Sequence, residues 1–142
     1  MYDFTTLGAI VGLVIAIVLI IKASALQCDV ITIIEAINMP AFVLAPISGV
    51  LMAAASASTT AGTTIASQTF GATLIAQGVP VLSAGAMVHA GATVLDSLPH
   101  GSFFHATGGS VKMSINERMK LIPYEALVGL TSTILAVIWY LI

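Results

Sequence analysis

Between Glu35 and Asp96 the chain runs without a single formally charged side chain, and from Glu125 to the terminal Ile142 it does so again. A soluble surface needs roughly a quarter of its residues charged, so runs of this kind belong in lipid. Only 7% of the 142 residues are charged and 58% are hydrophobic, which argues against a water-soluble enzyme. At roughly 20 residues per crossing the length allows at most about six helical passes, few for a transporter. A net charge of -2 with no basic block offers nothing to a nucleic acid backbone. The one cysteine, Cys28, has no disulfide partner and no zinc-site spacing, and reads as a small apolar filler.

The apolar runs set the segments. Thr5 to Ile21, closed by Lys22, lacks the basic start of a signal peptide and reads as a retained transmembrane helix, although Ala23-Ser24-Ala25 resembles a cleavage site. Gly8 and Gly12 give it a small-residue face on which a neighbouring helix can pack. Cys28 to Asn38 reads as a short interfacial amphipathic helix, ended by Pro40. Ala41 to Ala55 is apolar, with Pro46 and Gly49 as bend points. After a Gly78-Val79-Pro80 turn, Val81 to Leu95 is a further apolar helix. Gly101 to Ser110 is too short and irregular for a span. Ser114 and Glu117 have the spacing of a capping box, opening a surface helix with Ile115, Met119 and Ile122 on one face and Arg118 and Lys120 on the other. Pro123 suits the first turn of a final span, Tyr124 to Ile142, with Tyr124 and Trp139-Tyr140 at opposite interfaces. The expected fold is an all-α, polytopic integral membrane protein with about four membrane segments, one of them broken or re-entrant, plus an amphipathic surface helix. Lys22, Lys112, Arg118 and Lys120 are all the basic residues, and the positive-inside rule places both termini outside the cell membrane.

The hydroxyl-rich stretch Ser56 to Thr64 lies inside the long charge-free region. One unbroken helix from Ala41 to Gln77 would reach about 55 Å, well beyond a hydrocarbon core of about 30 Å. A break over Ser58 to Gly62 is therefore expected, freeing backbone amides near Thr63 for a ligand. Ser56, Ser58, Thr59, Thr60, Thr63 and Thr64 are the candidate substrate groups. The alternative is that these hydroxyls bond to carbonyls one turn back within continuous helices.

Asp96 is the only carboxylate between Glu35 and Glu117. A carboxylate at membrane depth costs about 2.5 to 3.5 kcal/mol on insertion scales, so a proton-coupling or gating role is one reading and an interfacial turn the other. His100, four residues on, and His89, seven back, would share its face if the helix continued, although Pro99 interrupts it. His89, His100 and His105 lack the i, i+4 pair of a helical metal site, and no nucleophile-elbow spacing surrounds Gly108-Gly109-Ser110. Neither a metal nor another cofactor is expected.

Asp96-Ser97-Leu98-Pro99-His100, with Gly101-Ser102-Phe103-Phe104-His105 and Ile122-Pro123-Tyr124-Glu125, resembles the C-terminal part of the gluconate permease (GntP-type) family within the ion transporter superfamily. Ser56 to Thr64 is similar to that family's substrate-region motif. The resemblance covers roughly residues 33–142, and Thr5 to Lys22 separately resembles the family's first helix. It implies a division into an N-terminal transmembrane helix, 1–27, and the C-terminal part of a permease transport domain, 28–142. It further implies symport of protons with gluconate or a related small organic carboxylate across the inner (plasma) membrane. Family members are longer and have two related halves, so the implied partners besides lipid are a missing permease half or further copies of the chain. A non-transporting membrane fragment or small helical assembly subunit is the competing expectation.

Overall fold

The computed structural model describes residues 40–142 continuously and, before them, positions 20, 28, 29, 32, 33 and 36. The expected first helix over Thr5 to Ile21 thus lies almost wholly outside the described residues. Of the expected helix over Cys28 to Asn38, the described positions Cys28, Asp29, Thr32, Ile33 and Ala36 are helical and exposed. The chain divides into two compact units, Met1–Asn38 and Met39–Ile142.

The second unit contains six helices: α1 (Ala41–Ser56), α2 (Thr59–Ala76), α3 (Val81–Ala92), α4 (Ser102–Ser110), α5 (Ile115–Met119) and α6 (Ile122–Leu141). The first three pack against one another, α6 lies along α3, and α4 pairs with the short α5. Leu44, Ala53, Ala66, Phe70, Leu74, Met87 and Val88 form the core. With so many small residues the helices approach closely. A Cβ on Gly62 of α2 would lie 2.6 Å from the Ala53 backbone of α1. In lipid, where apolar side chains gain nothing by leaving water, such van der Waals contact is the main cohesive term between helices.

Length separates these helices from the four expected spans. Among the described residues one helical stretch is long and apolar enough to cross a membrane, Ile115–Leu141, which contains α6. Two others, α1 and α3, are apolar but shorter. At 1.5 Å per residue they reach about 24 and 18 Å, less than the hydrocarbon thickness. Pro123 stands in the first turn of α6, as expected. Large apolar side chains cover its outer surface, from Leu127 and Val128 to Trp139.

The long charge-free run is interrupted at Ala57 and Ser58, one residue ahead of the expected start of the break and shorter than expected. Ala57 adopts the left-handed conformation (φ 45°, ψ 44°) that ends α1, and Ser58 is extended. The Ser58 hydroxyl accepts the Ala61 N–H at 3.3 Å, so Thr59 to Gly62 are already helical rather than part of the break. Removing that cap by Ser58→Ala should cost about 1 kcal/mol, seen as a lower midpoint in detergent unfolding followed by circular dichroism. Ser58→Asn, which keeps an acceptor without adding a charge beside Asp96, should hold the wild-type midpoint.

Three other expectations are corrected. Instead of continuing to Leu95, α3 ends at Ala92, because the Thr93 hydroxyl and amide both turn back to the Ala90 carbonyl, at 2.7 and 3.2 Å. Gly101 to Ser110 is not irregular: nine of its residues form α4, although at this length it is, as expected, too short for a span. The capping box at Ser114 and Glu117 forms as expected, but Arg118 does not face water. It is 3% exposed, whereas Ile115 and Met119 point outward. The short helix presents its apolar side to the surroundings and its one buried cation to the protein.

Candidate functional site

The break between α1 and α2 faces the start of α4. Gly101 makes this approach possible, since a Cβ there would lie 2.6 Å from both the Ala57 methyl and the Ala57 carbonyl oxygen. The two helix N-termini open onto one cleft of about 240 Å³, lined by Ser58, Thr59, Thr60, Ser102, Phe103 and Asp96, with Ala57 behind them. Each N-terminus carries unpaired backbone N–H groups and a partial positive charge. Hydroxyls from both helices surround the same space, and Asp96 supplies its only formal charge.

Asp96 sits on the non-helical segment between α3 and α4 and is held from two sides. The Thr59 hydroxyl donates to Oδ2, and the Ser97 hydroxyl donates to Oδ1 at 3.0 Å. Asp96 also lines a second, larger and more open cleft of about 550 Å³ against α6, with Ser97, Tyr124, Glu125, Val128 and Ser132 among its walls.

The other candidate residues are used differently. Ser56 donates to the Met52 carbonyl at 2.8 Å and Thr64 to the Thr60 carbonyl at 2.8 Å, so both satisfy their own helices. Thr63 pairs with His89 Nδ1 at 3.2 Å, joining α2 to α3 on an exposed surface. With α3 ending at Ala92, the helical face expected to carry His89, Asp96 and His100 together does not form. His100 is exposed in the turn before α4, and no hydrogen bond or ion pair links it to Asp96 among the described residues. Ser97, Ser102 and Phe103 are cleft residues that the sequence reading did not single out. Gly101-Ser102 after a proline turn signals the start of α4, though not the cleft that this start faces.

A second polar cluster lies nearby. Arg118 donates through Nη1 to Glu125 Oε2 at 2.9 Å and through Nε to the Thr107 hydroxyl at 3.2 Å, with its guanidinium 5.1 Å from the centre of the Phe104 ring. Its Nη2 lies 2.9 Å from Glu125 Oε1, an ion pair by distance that lacks hydrogen-bond alignment. This cluster ties α4, α5 and α6 together. Among the described residues no three or more His, Cys, Asp or Glu side chains gather as a metal site would require.

No family model matches the chain, and no solved structure matches it. A curated protein of Haemophilus influenzae, described as an uncharacterized transporter, is 59% identical to it over 117 residues. That alignment covers 82% of this chain and 28% of the relative, so the chain spans less than a third of the length of the transporter it matches.

Proposed function

We propose that the chain is the cleft-bearing part of a membrane transporter that carries a small organic anion of the sugar-acid class together with protons, in the manner of GntP-type gluconate permeases. The observation that carries this reading is the convergence of the α2 and α4 N-termini on a hydroxyl-lined cleft whose one charge is a carboxylate. Similarity to a transporter of Haemophilus influenzae supports the general class.

Magnitudes give Asp96 its role. Two negative charges about 5 Å apart at an effective dielectric constant of about 20 repel by about 3 kcal/mol. Two helix N-termini return about 0.3 to 1 kcal/mol each, so they do not offset that repulsion by themselves. A proton on Asp96 removes it. The anion and the proton therefore bind together, with Ser58, Thr59, Thr60 and Ser102 contacting the carboxylate and hydroxyl groups of the substrate. Ser56, Thr63, Thr64 and His89 hold the surrounding helices in place. The intact transporter then includes the missing permease half or further copies of this chain, sits in the inner membrane as a multi-pass protein, and has both termini outside.

Calorimetric titration of the purified chain with D-gluconate and a panel of other small carboxylates tests this. Each anion takes up one proton, so affinity should rise by up to about tenfold per unit fall in pH. Asp96→Asn should keep binding and flatten that dependence. Failure of every carboxylate to bind at any pH would favour a non-transporting helical subunit, and an unchanged slope in Asp96→Asn would move the proton to another group.

A further inference from the structure

Asp96 and Phe103 are the two residues common to both clefts, so together they form the partition between them. The two carboxylate oxygens of Asp96 are engaged on opposite sides of it. Oδ2 takes the hydroxyl of Thr59, which lines the smaller cleft alone, and Oδ1 takes that of Ser97, which lines the larger cleft alone. One carboxyl group is thus presented to two separate spaces, while the half-exposed Phe103 ring keeps them apart.

We propose that the larger cleft against α6 is the route by which protons reach Asp96, separate from the cleft that takes the anion. The assignment rests on the reading of Asp96 as the coupling acid. A hydronium ion in the larger cleft gives its proton to Oδ1 and leaves as water. The carboxyl is then neutral toward the smaller cleft, where Oδ2 still accepts from Thr59 and no longer opposes an incoming anion. Loss of the same proton through the larger cleft restores the carboxylate and expels the anion.

The placement of the titratable groups favours this direction of access. The titratable groups beside Asp96 in the larger cleft are Tyr124 and Glu125 of α6, and Glu125 is held by Arg118 of α5. The α2 and α4 residues facing Asp96 across the smaller cleft are Ser58, Thr59, Thr60, Ser102 and Phe103, none of which carries a charge. Groups able to pass on a proton thus stand beside Asp96 on one side of the partition, with only serine and threonine hydroxyls and an aromatic ring on the other.

The experiment is hydrogen–deuterium exchange at the protonated Asp96 carboxyl, followed by stopped-flow infrared spectroscopy of the full chain in detergent at low pH. The band is assigned by its loss in Asp96→Asn. Val128→Trp and Ser132→Trp, one helical turn apart and exposed on α6, each fill the larger cleft without disturbing the core. Both should slow exchange at least tenfold. Ser102→Trp, which fills the smaller cleft, should leave the exchange rate within twofold of wild type. Slowing by Ser102→Trp but by neither α6 variant, or an equal effect of all three, would overturn the proposal. Titration of the wild-type chain with D-gluconate and the same carboxylate panel keeps the two readings apart, because failure of every carboxylate to bind overturns the transport function while the exchange rates still decide the route.

Discussion

Gly49→Ala should destabilise the helical unit by about 3 kcal/mol, roughly a hundredfold in the ratio of folded to unfolded protein. A Cβ at this position would lie 2.1 Å from the Val88 carbonyl oxygen and 2.9 Å from the Ala92 amide, against an ordinary contact of 3.4–4 Å. Both obstacles are backbone of α3 and cannot rotate away. The contact is also reciprocal: a Cβ on Gly91 of α3 would lie 2.1 Å from the Pro46 carbonyl oxygen of α1. One methyl group thus forces two helices apart along their shared length and strips contacts from Leu44, Met87 and Val88, all at most 1% exposed. Gly91→Ala should match it. Gly85→Ala is the control, because nothing lies within 4 Å of that Cβ position. There the gain in helix propensity should raise stability by up to about 1 kcal/mol. Unfolding in mixed micelles, followed by circular dichroism, measures all three. A cost below about 1 kcal/mol for Gly49→Ala would contradict the close packing of α1 on α3.

Glu125→Ala should cost about 2 to 3 kcal/mol, because it leaves the Arg118 guanidinium buried without its counter-charge. The figure stays below the 3 to 5 kcal/mol expected for a fully enclosed pair, since the Glu125 side chain is 35% exposed and water already screens part of the interaction. Replacing both partners, Arg118→Met with Glu125→Gln, should recover most of the loss, because no charge then remains to be desolvated. A double variant as unstable as Glu125→Ala would show that the aliphatic stem of Arg118 against Gly108 and Phe104, rather than its charge, holds α5 in place.

The break after α1 was legible because it follows from length: a helix through Ala41 to Gln77 is longer than a bilayer is thick. Its position was less so, since Ser58 could serve either as part of the gap or as the N-cap, and a hydroxyl run does not say which of its members turns toward a backbone amide. Ser56 and Thr64 each bond to a carbonyl of their own helix, the arrangement that the alternative reading describes. The capping box at Ser114 and the start of α6 rest on local patterns of four residues or fewer, and both were read correctly. Arg118 was misread for a reason tied to the solvent. Amphipathic patterning assumes that charge faces out, but in a membrane the apolar residues Ile115 and Met119 face out, and the cation turns inward to the Glu125 carboxylate, seven residues along. Of the cleft, the hydroxyl run revealed Ser58, Thr59 and Thr60, and charge scarcity revealed Asp96. Ser102 and Phe103 reach the same space from some forty residues away, a juxtaposition made by tertiary packing that no local spacing encodes.

Gly129 and Thr133 are the buried residues of α6, one turn apart on a helix of 20 residues. Gly129 rests on the carbonyl oxygen of Thr93 and the Cα of Val94, and Thr133 follows directly above it. The seam does not end there, since Tyr140 meets the Phe42 ring of α1 at 5.5 Å and Glu125 is tied to the buried Arg118. The wall of the larger cleft is therefore anchored at three heights, and its width is set by how closely Gly129 lets α6 approach the end of α3.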